Sequence, residues 1–275
     1  MQSFVGAGKV GTSLGIYFKE NGLNIGGYFS RTAESAKRAS TLTHSTAYSN
    51  LECLVNNNQI IWITTPDDSI EKVAEQISGL NIKGTKTFIH ASGSLTSDAL
   101  GCLEKKGHRI CSAHPLLAFS DITKAVSALK DTAFFIEGQT DALTEIKKIL
   151  AETGNSYHII DKKSKPAYHA AAAVLSNYLV TLVYASNQLF DLVGIDERTL
   201  GDASLVLVKS VLDNLQGKTP AEALTGPIKR GDAETVKKHL EVLEQNLPEL
   251  TELYKVMGRE TMRMINNFQL NNILQ

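Results

Sequence analysis

Ser3-Phe4-Val5-Gly6-Ala7-Gly8-Lys9-Val10-Gly11 is the stretch whose reading decides the fold. A short apolar run leads into a match to G-x-G-x-x-G, and Val10 to Asn21 continues with the periodicity of an amphipathic helix. In a strand, loop and helix of this kind the first glycine permits the tight turn. The second lets the backbone approach a pyrophosphate, and the third lets the helix pack closely on the strand. The pyrophosphate would sit at the helix N-terminus, held by backbone N–H groups and the positive end of the helix dipole. Gly6, Gly8, Lys9, Val10 and Gly11 are therefore the candidate phosphate-binding residues. A glycine-rich turn without a ligand is the plainer alternative. With only five residues ahead of Gly6, the first strand is short, and a few native residues are expected before Met1.

Outward from this loop, short apolar runs alternate with helical patterns as far as about residue 160, which predicts a doubly wound parallel sheet. Candidate strands are Ser3 to Val5, Asn24 to Phe29, His44 to Ala47, Gln59 to Thr64, Lys86 to His90, Arg109 to Ala113, Ala133 to Glu137 and Ser156 to Ile160. Gly22, Gly107 and Gly154 each end a helical run just before a strand, where a left-handed cap favours glycine. Asp68 and Glu71 have the spacing of a capping box. The expected fold is α/β: a doubly wound Rossmann dinucleotide-binding domain over residues 1–162, then an all-α domain over 163–275. Beyond Asp161 the chain reads as helices over Pro166 to Val193, Glu197 to Leu215, Pro220 to Leu224, Ala233 to Asn246 and Pro248 to the end. Thr219-Pro220-Ala221-Glu222 and Asp232 carry N-terminal helix signals.

The end of the second strand bears on which dinucleotide would bind. NAD and FAD sites usually place an acid about 20 residues beyond the glycines; here the chain has Ser30-Arg31-Thr32. Arg31 can pair with a 2′-phosphate in a bidentate, charge-assisted way, with the Ser30 and Thr32 hydroxyls as further donors. NADP is the expected cofactor, although Thr32 could simply cap a helix while Arg31 stays solvated. Thr64, Thr65 and Pro66 end the fourth strand, where doubly wound sheets bind ligands, and should line the ribose and nicotinamide side. His90-Ala91-Ser92-Gly93-Ser94 and His114-Pro115-Leu116 end the next two strands on the same edge. Each histidine is either a loop residue bonding the backbone or part of a polar site.

Composition excludes several classes. Lys and Arg number 28 against 29 Asp and Glu, which leaves no basic surplus for nucleic acid. The three cysteines, Cys53, Cys102 and Cys111, are scattered without zinc or redox spacing, so buried reduced thiols in a cytoplasmic protein are expected, with no metal site. There is no signal-peptide pattern. His169 to Phe190 lacks Asp, Glu, Lys and Arg, but Ser176, Asn177, Thr181 and Asn187 interrupt it, so a central helix of a soluble domain is expected instead of a membrane span.

That helix carries Tyr168-His169 followed by four alanines and then Ser176-Asn177. At 100° per residue, His169 and Ser176 fall within about 20° of one another, and Lys165 lies about 40° from His169. Reducing a carbonyl or imine needs a proton donor beside the hydride acceptor, and His169, His114 or Lys165 could serve. Thr225-Gly226-Pro227-Ile228-Lys229-Arg230-Gly231-Asp232 breaks the helical pattern as either a corner or a ligand contact.

On these blocks, above all Tyr168 to Ala172, Ser176-Asn177 and Leu224 to Asp232, the chain resembles a family of Rossmann-like proteins whose C-terminal helical domain has no assigned function. More distantly it is similar to the 6-phosphogluconate dehydrogenase-like superfamily, which includes pyrroline-5-carboxylate reductase, prephenate dehydrogenase and ketopantoate reductase. The resemblance implies an NADP-dependent oxidoreductase whose helical domain forms a homodimer and closes over the nicotinamide, with a small carbonyl or imine substrate in the cleft between the domains. His114, His169 and Asn177 would face that substrate. The superfamily's hydroxyacid dehydrogenases carry a Lys four residues before an Asn on the central helix; counted from Asn177, this chain has Ala173 there. A nucleotide-binding sensor that keeps the fold without turnover is the alternative.

Overall fold

In a computed structural model the described residues are 1–275, the side chain of Glu197 excepted. Eight strands form one sheet: β1 (Gln2–Val5), β2 (Ile25–Phe29), β3 (Thr46–Ala47), β4 (Ile60–Ile63), β5 (Thr87–His90), β6 (Arg109–Pro115), β7 (Phe134–Gly138) and β8 (Tyr157–Ile159). Between them run α1 (Lys9–Glu20), α2 (Ala33–Thr43), α3 (Leu51–Asn57), α4 (Asp67–Ser78), α5 (Gly101–Glu104), α6 (Ile122–Leu129) and α7 (Thr140–Glu152). The spatial order is β3-β2-β1-β4-β5-β6-β7-β8, so the winding reverses between β1 and β4. The carboxyl edge beside that reversal is where such sheets bind ligands.

All eight expected strands are present, and Gly22, Gly107 and Gly154 take the left-handed backbone expected of them. The sheet is not wholly parallel, however. β6 and β7 run antiparallel, with Pro115 opposite Phe134, because the chain leaves and re-enters the sheet at the same edge. Other local expectations are corrected. His44 ends α2 in a left-handed conformation, so β3 begins only at Thr46. α4 starts two residues early, at Asp67 with Pro66 in the capping position, and Asp68 makes no side-chain cap. Cys53 is exposed and Cys102 half-buried, leaving Cys111 as the buried thiol of the three; all are free.

Contacts group residues 1–176 and 177–275 into two units, the division falling inside α8 (Lys165–Asp191). After it come α9 (Glu197–Leu200), α10 (Ala203–Leu215), α11 (Pro220–Ala223), α12 (Pro227–Arg230), α13 (Ala233–Asn246) and α14 (Pro248–Ile265). No strand follows β8 among the described residues. The helix expected over 197–215 breaks at Gly201, whose φ is 50°, and the last helix stops at Asn266. The Thr219 to Glu222 capping box and the Asp232 cap both form. Val236, Leu240 and Met262 anchor the second unit's core. No helix among the described residues is long and apolar enough to cross a membrane.

The first unit's core is built on aromatic stacking beneath the glycine loop. Phe4 stacks on Tyr28 at 5.1 Å, Phe18 lies 5.4 Å from Trp62, and the Trp62 indole donates to Gln2 Oε1 at 2.8 Å. Gly15 in α1 makes room for this stack, since a Cβ there would lie 1.7 Å from Tyr28 Oη. Gly15→Ala should therefore lower stability by about 1–3 kcal/mol through overpacking, despite alanine's better helix propensity. Part of the loss should return in a Tyr28→Phe background, as read by urea unfolding of the four variants.

Candidate functional site

The first component is the loop after β1. Gly6 turns with φ 108°, and its carbonyl accepts from Thr64 Oγ1 at 2.8 Å. The loop is pressed onto the end of β4: a Cβ on Gly6 would lie 2.8 Å from the Thr64 carbonyl carbon, and one on Gly11 2.3 Å from Gly6 O and 2.4 Å from Thr64 Oγ1. Gly8 differs, because a Cβ there meets nothing within 4 Å. Gly8 precedes the first turn of α1, which carries no acidic residue, so the N–H groups at that helix end form a positive pole that no first-turn carboxylate opposes. Lys9 is exposed and Val10 half-buried. This cradle fits a pyrophosphate.

At the end of β2, Ser30 is half-buried while Arg31 and Thr32 are exposed. Thr32 precedes α2 but its hydroxyl donates to Ser35 Oγ at 2.8 Å, leaving the helix end uncapped by that side chain. Thr64 and Thr65 are half-buried and Pro66 exposed beside them. The Thr65 hydroxyl is buried without a protein partner.

The second component lies at the ends of β5 and β6. His90 is fully buried; its Nδ1 accepts from Ser92 N–H at 3.2 Å, so Nε2 carries the hydrogen and donates to Thr96 O at 3.0 Å. Both nitrogens are thus spent on the backbone, the plainer of the two roles. Burial, followed by the nearby Lys165 charge, pushes its pKa down to about 3. Ser92 and Ser94 hydroxyls both donate to Asp67 Oδ2, at 2.8 and 2.6 Å, which ties the turn after β5 to the start of α4.

His114 is placed differently. Its Nδ1 lies 2.6 Å from Tyr168 Oη, and Tyr168 packs on Phe135 at 4.4 Å. Its Nε2 lies 2.9 Å from the position a Cβ would take on Gly93, and His169 Nδ1 lies 2.9 Å from the same point. The two imidazoles therefore converge over one glycine, with His169 exposed and His114 half-buried. Burial, then Lys165 and His169, drive the His114 pKa down to about 4, so its imidazole is neutral at physiological pH. Asn177, eight residues beyond His169 on α8, opens the second unit.

Lys165 is not an open proton donor. It is fully buried, with Nζ bonded to Leu95 O and Ser112 Oγ and lying 3.5 Å from Glu137 Oε1. Burial lowers its pKa to about 8 against the opposing pull of Glu137. Glu137 and Ser112 escaped the sequence reading as site residues, and Tyr168, though quoted beside His169, and Asp67 were given no role there. The one signal was a lone carboxylate in the apolar strand Phe134-Phe135-Ile136-Glu137.

A Rossmann-like domain model matches residues 2–115, and the model described as a domain of unknown function, DUF2520, matches residues 132–261. No curated protein matches the sequence. The crystal structure of protein TM1727 from Thermotoga maritima is 30% identical, covers 97% of this chain and 98% of that one, and superposes with a TM-score of 0.77. A protein named as a candidate NADP oxidoreductase, BF3122 from Bacteroides fragilis, is 21% identical over 94% of this chain and 96% of that one, TM-score 0.75. An imine reductase from Myxococcus stipitatus in complex with NADP+ is 14% identical over the whole of both chains, TM-score 0.65.

Two outcomes follow from this geometry. Gly8→Ala should leave the unfolding midpoint unchanged while weakening NADPH binding. Gly11→Ala should lower stability by about 1–3 kcal/mol through its collision with Gly6 and Thr64. Thermal unfolding with and without NADPH separates the two. The second outcome concerns acid. His90 and His114 have folded pKa values of about 3 and about 4, below the unfolded value of 6.5, so the unfolded chain binds protons that the folded chain refuses. Stability should fall as pH drops through 6.5, by about 2 kcal/mol per histidine at pH 5. Urea midpoints at pH 7.5 and 5 measure this, and an equal fall in a His90→Gln/His114→Gln variant would assign it to other groups.

Proposed function

The chain belongs to the family that joins a Rossmann-like domain to a DUF2520 domain, and from that premise we propose that it is an NADP-dependent oxidoreductase reducing a small carbonyl or imine compound. The observation that carries this reading is the convergence of His114 and His169 over Gly93, in a unit whose carboxyl edge also bears the open Gly8 cradle. Gly6, Gly8, Lys9, Val10 and Gly11 hold the pyrophosphate; Ser30, Arg31 and Thr32 hold the 2′-phosphate; Thr64, Thr65 and Pro66 line the ribose and nicotinamide side. NADPH, when bound, supplies the hydride.

His114 stays neutral and, with Tyr168 donating to Nδ1, presents Nε2–H toward the space over Gly93. There it polarises the carbonyl or imine as a hydrogen-bond donor in a partly dry setting. His169, exposed to water, delivers the proton. Asn177 is the proposed amide contact for the substrate. The rival reading, a sensor that binds NADP(H) without turnover, draws on Ala173 in place of a lysine and on the sequestration of Lys165.

We also propose that the chain forms a homodimer through its helical part. On α8, Leu175 is 74% and Val180 70% exposed; on α10, Val206 is 67% and Leu207 63% exposed. Apolar exposure on this scale supports that reading.

Calorimetric titration of wild type and Arg31→Ala with NADPH and NADH tests the cofactor assignment. Loss of the charged contact should weaken NADPH by about 1.5–3 kcal/mol and leave NADH nearly unchanged. Equal, weak binding of both by wild type would sink it. NADPH consumption across keto acids, aldehydes and cyclic imines separates enzyme from sensor.

A further inference from the structure

An ammonium with no solvent exposure has to be answered by acceptors, and Lys165 finds three: Leu95 O, Ser112 Oγ and Glu137 Oε1. Glu137, 2% exposed, is itself satisfied by Ser97, whose N–H and Oγ–H donate to it at 2.5 and 2.9 Å. A buried pair of this kind adds little net stability over an apolar pair of the same volume, because desolvating both charges offsets their attraction. What distinguishes it is what it joins. Leu95 and Ser97 end the turn that carries Ser92, Gly93 and Ser94. Ser112 lies two residues before His114 on β6, and Lys165 lies one turn before Tyr168 and His169 on α8. One buried pair thus reaches every element that contributes to the convergence over Gly93.

We propose that Lys165, through Glu137, is a positioning residue that fixes the Gly93 turn against His114 and His169. Its effect on turnover rests on the reading above; its effect on geometry does not. The ammonium touches neither imidazole, so it acts through the turn and through its field. The charged and titratable groups that bear on His114 are Lys165, His169, Asp67, His90 and the hydrogen-bonded Tyr168; Glu137, Asp67 and Cys111 bear on Lys165. Removing the ammonium takes a positive charge from beside His114, so that imidazole should accept a proton more readily.

The test uses the full chain and two variants, Glu137→Gln, which keeps the shape and removes one charge, and Lys165→Met/Glu137→Gln, which leaves no buried charge. Hydrogen exchange is followed at the amides of residues 92–97, and the His114 ring is titrated by NMR. The expected result for the double variant is at least about a tenfold loss of protection confined to that turn. With it comes an upward shift of the His114 titration by about half a unit or more, while NADPH binding at the glycine loop is unchanged. Where turnover is measurable, kcat should fall by on the order of tenfold at constant KM for NADPH. Wild-type protection and an unmoved His114 titration in both variants would overturn the proposal, as would global unfolding of both, which would make the pair a general fold determinant. Loss of the local protection in a protein without turnover would uphold the positioning role and count only against the enzymatic reading.

Discussion

The closeness of Gly6 and Gly11 to Thr64 is the constraint on which the carboxyl edge of the sheet depends. Two backbone segments meet there with no room for a methyl group, and the Thr64 hydroxyl locks them by donating to the Gly6 carbonyl. Because the winding reverses between β1 and β4, this contact sets the floor on which any ligand of the edge would rest. Gly8, one step away, is left open by the same arrangement. The three glycines therefore divide into two that make the floor and one that leaves the opening.

The edge continues through polar groups that hold each other. Asp67 holds the turn after β5 through two serine hydroxyls, His90 spends both nitrogens on that turn's backbone, and the Lys165–Glu137 pair closes its far end. The turn so held brings Gly93 under His114 and His169. The convergence at this edge is thus supported by groups that do not themselves take part in it.

Much of this was legible in the sequence wherever the determinant is local. Short apolar runs gave all eight strands, glycine conformations gave the helix ends at Gly22, Gly107 and Gly154, and Thr219 and Asp232 announced their own helices. What stayed hidden is non-local. The direction of β7 is decided by where the connection from β6 returns, which no periodicity encodes. The contact of His114 with Tyr168 spans 54 residues, and that of Lys165 with Glu137 spans 28. Lys165 read as a candidate proton donor beside His169, because a sequence shows charge but not the three acceptors that sequester it. With Pro66 in the capping position, α4 starts two residues before the expected place, so Asp67 bonds the serines and the cap expected at Asp68 does not form.

Trp62 is the only tryptophan in the chain, and it sits fully buried on β4 within the aromatic stack, its indole N–H held by Gln2. The first unit therefore carries the chain's one indole in an apolar setting, whereas the second unit has tyrosines, Tyr178, Tyr184 and Tyr254, and no tryptophan. Indole emission is blue-shifted in such surroundings and moves to the red when water reaches the ring. Tryptophan emission, excited at the red edge where tyrosine does not absorb, is consequently a report on residues 1–176 alone, while the far-ultraviolet circular dichroism draws on the helices of both units. The two optical signals, followed together through denaturation, read the units separately without any label being added.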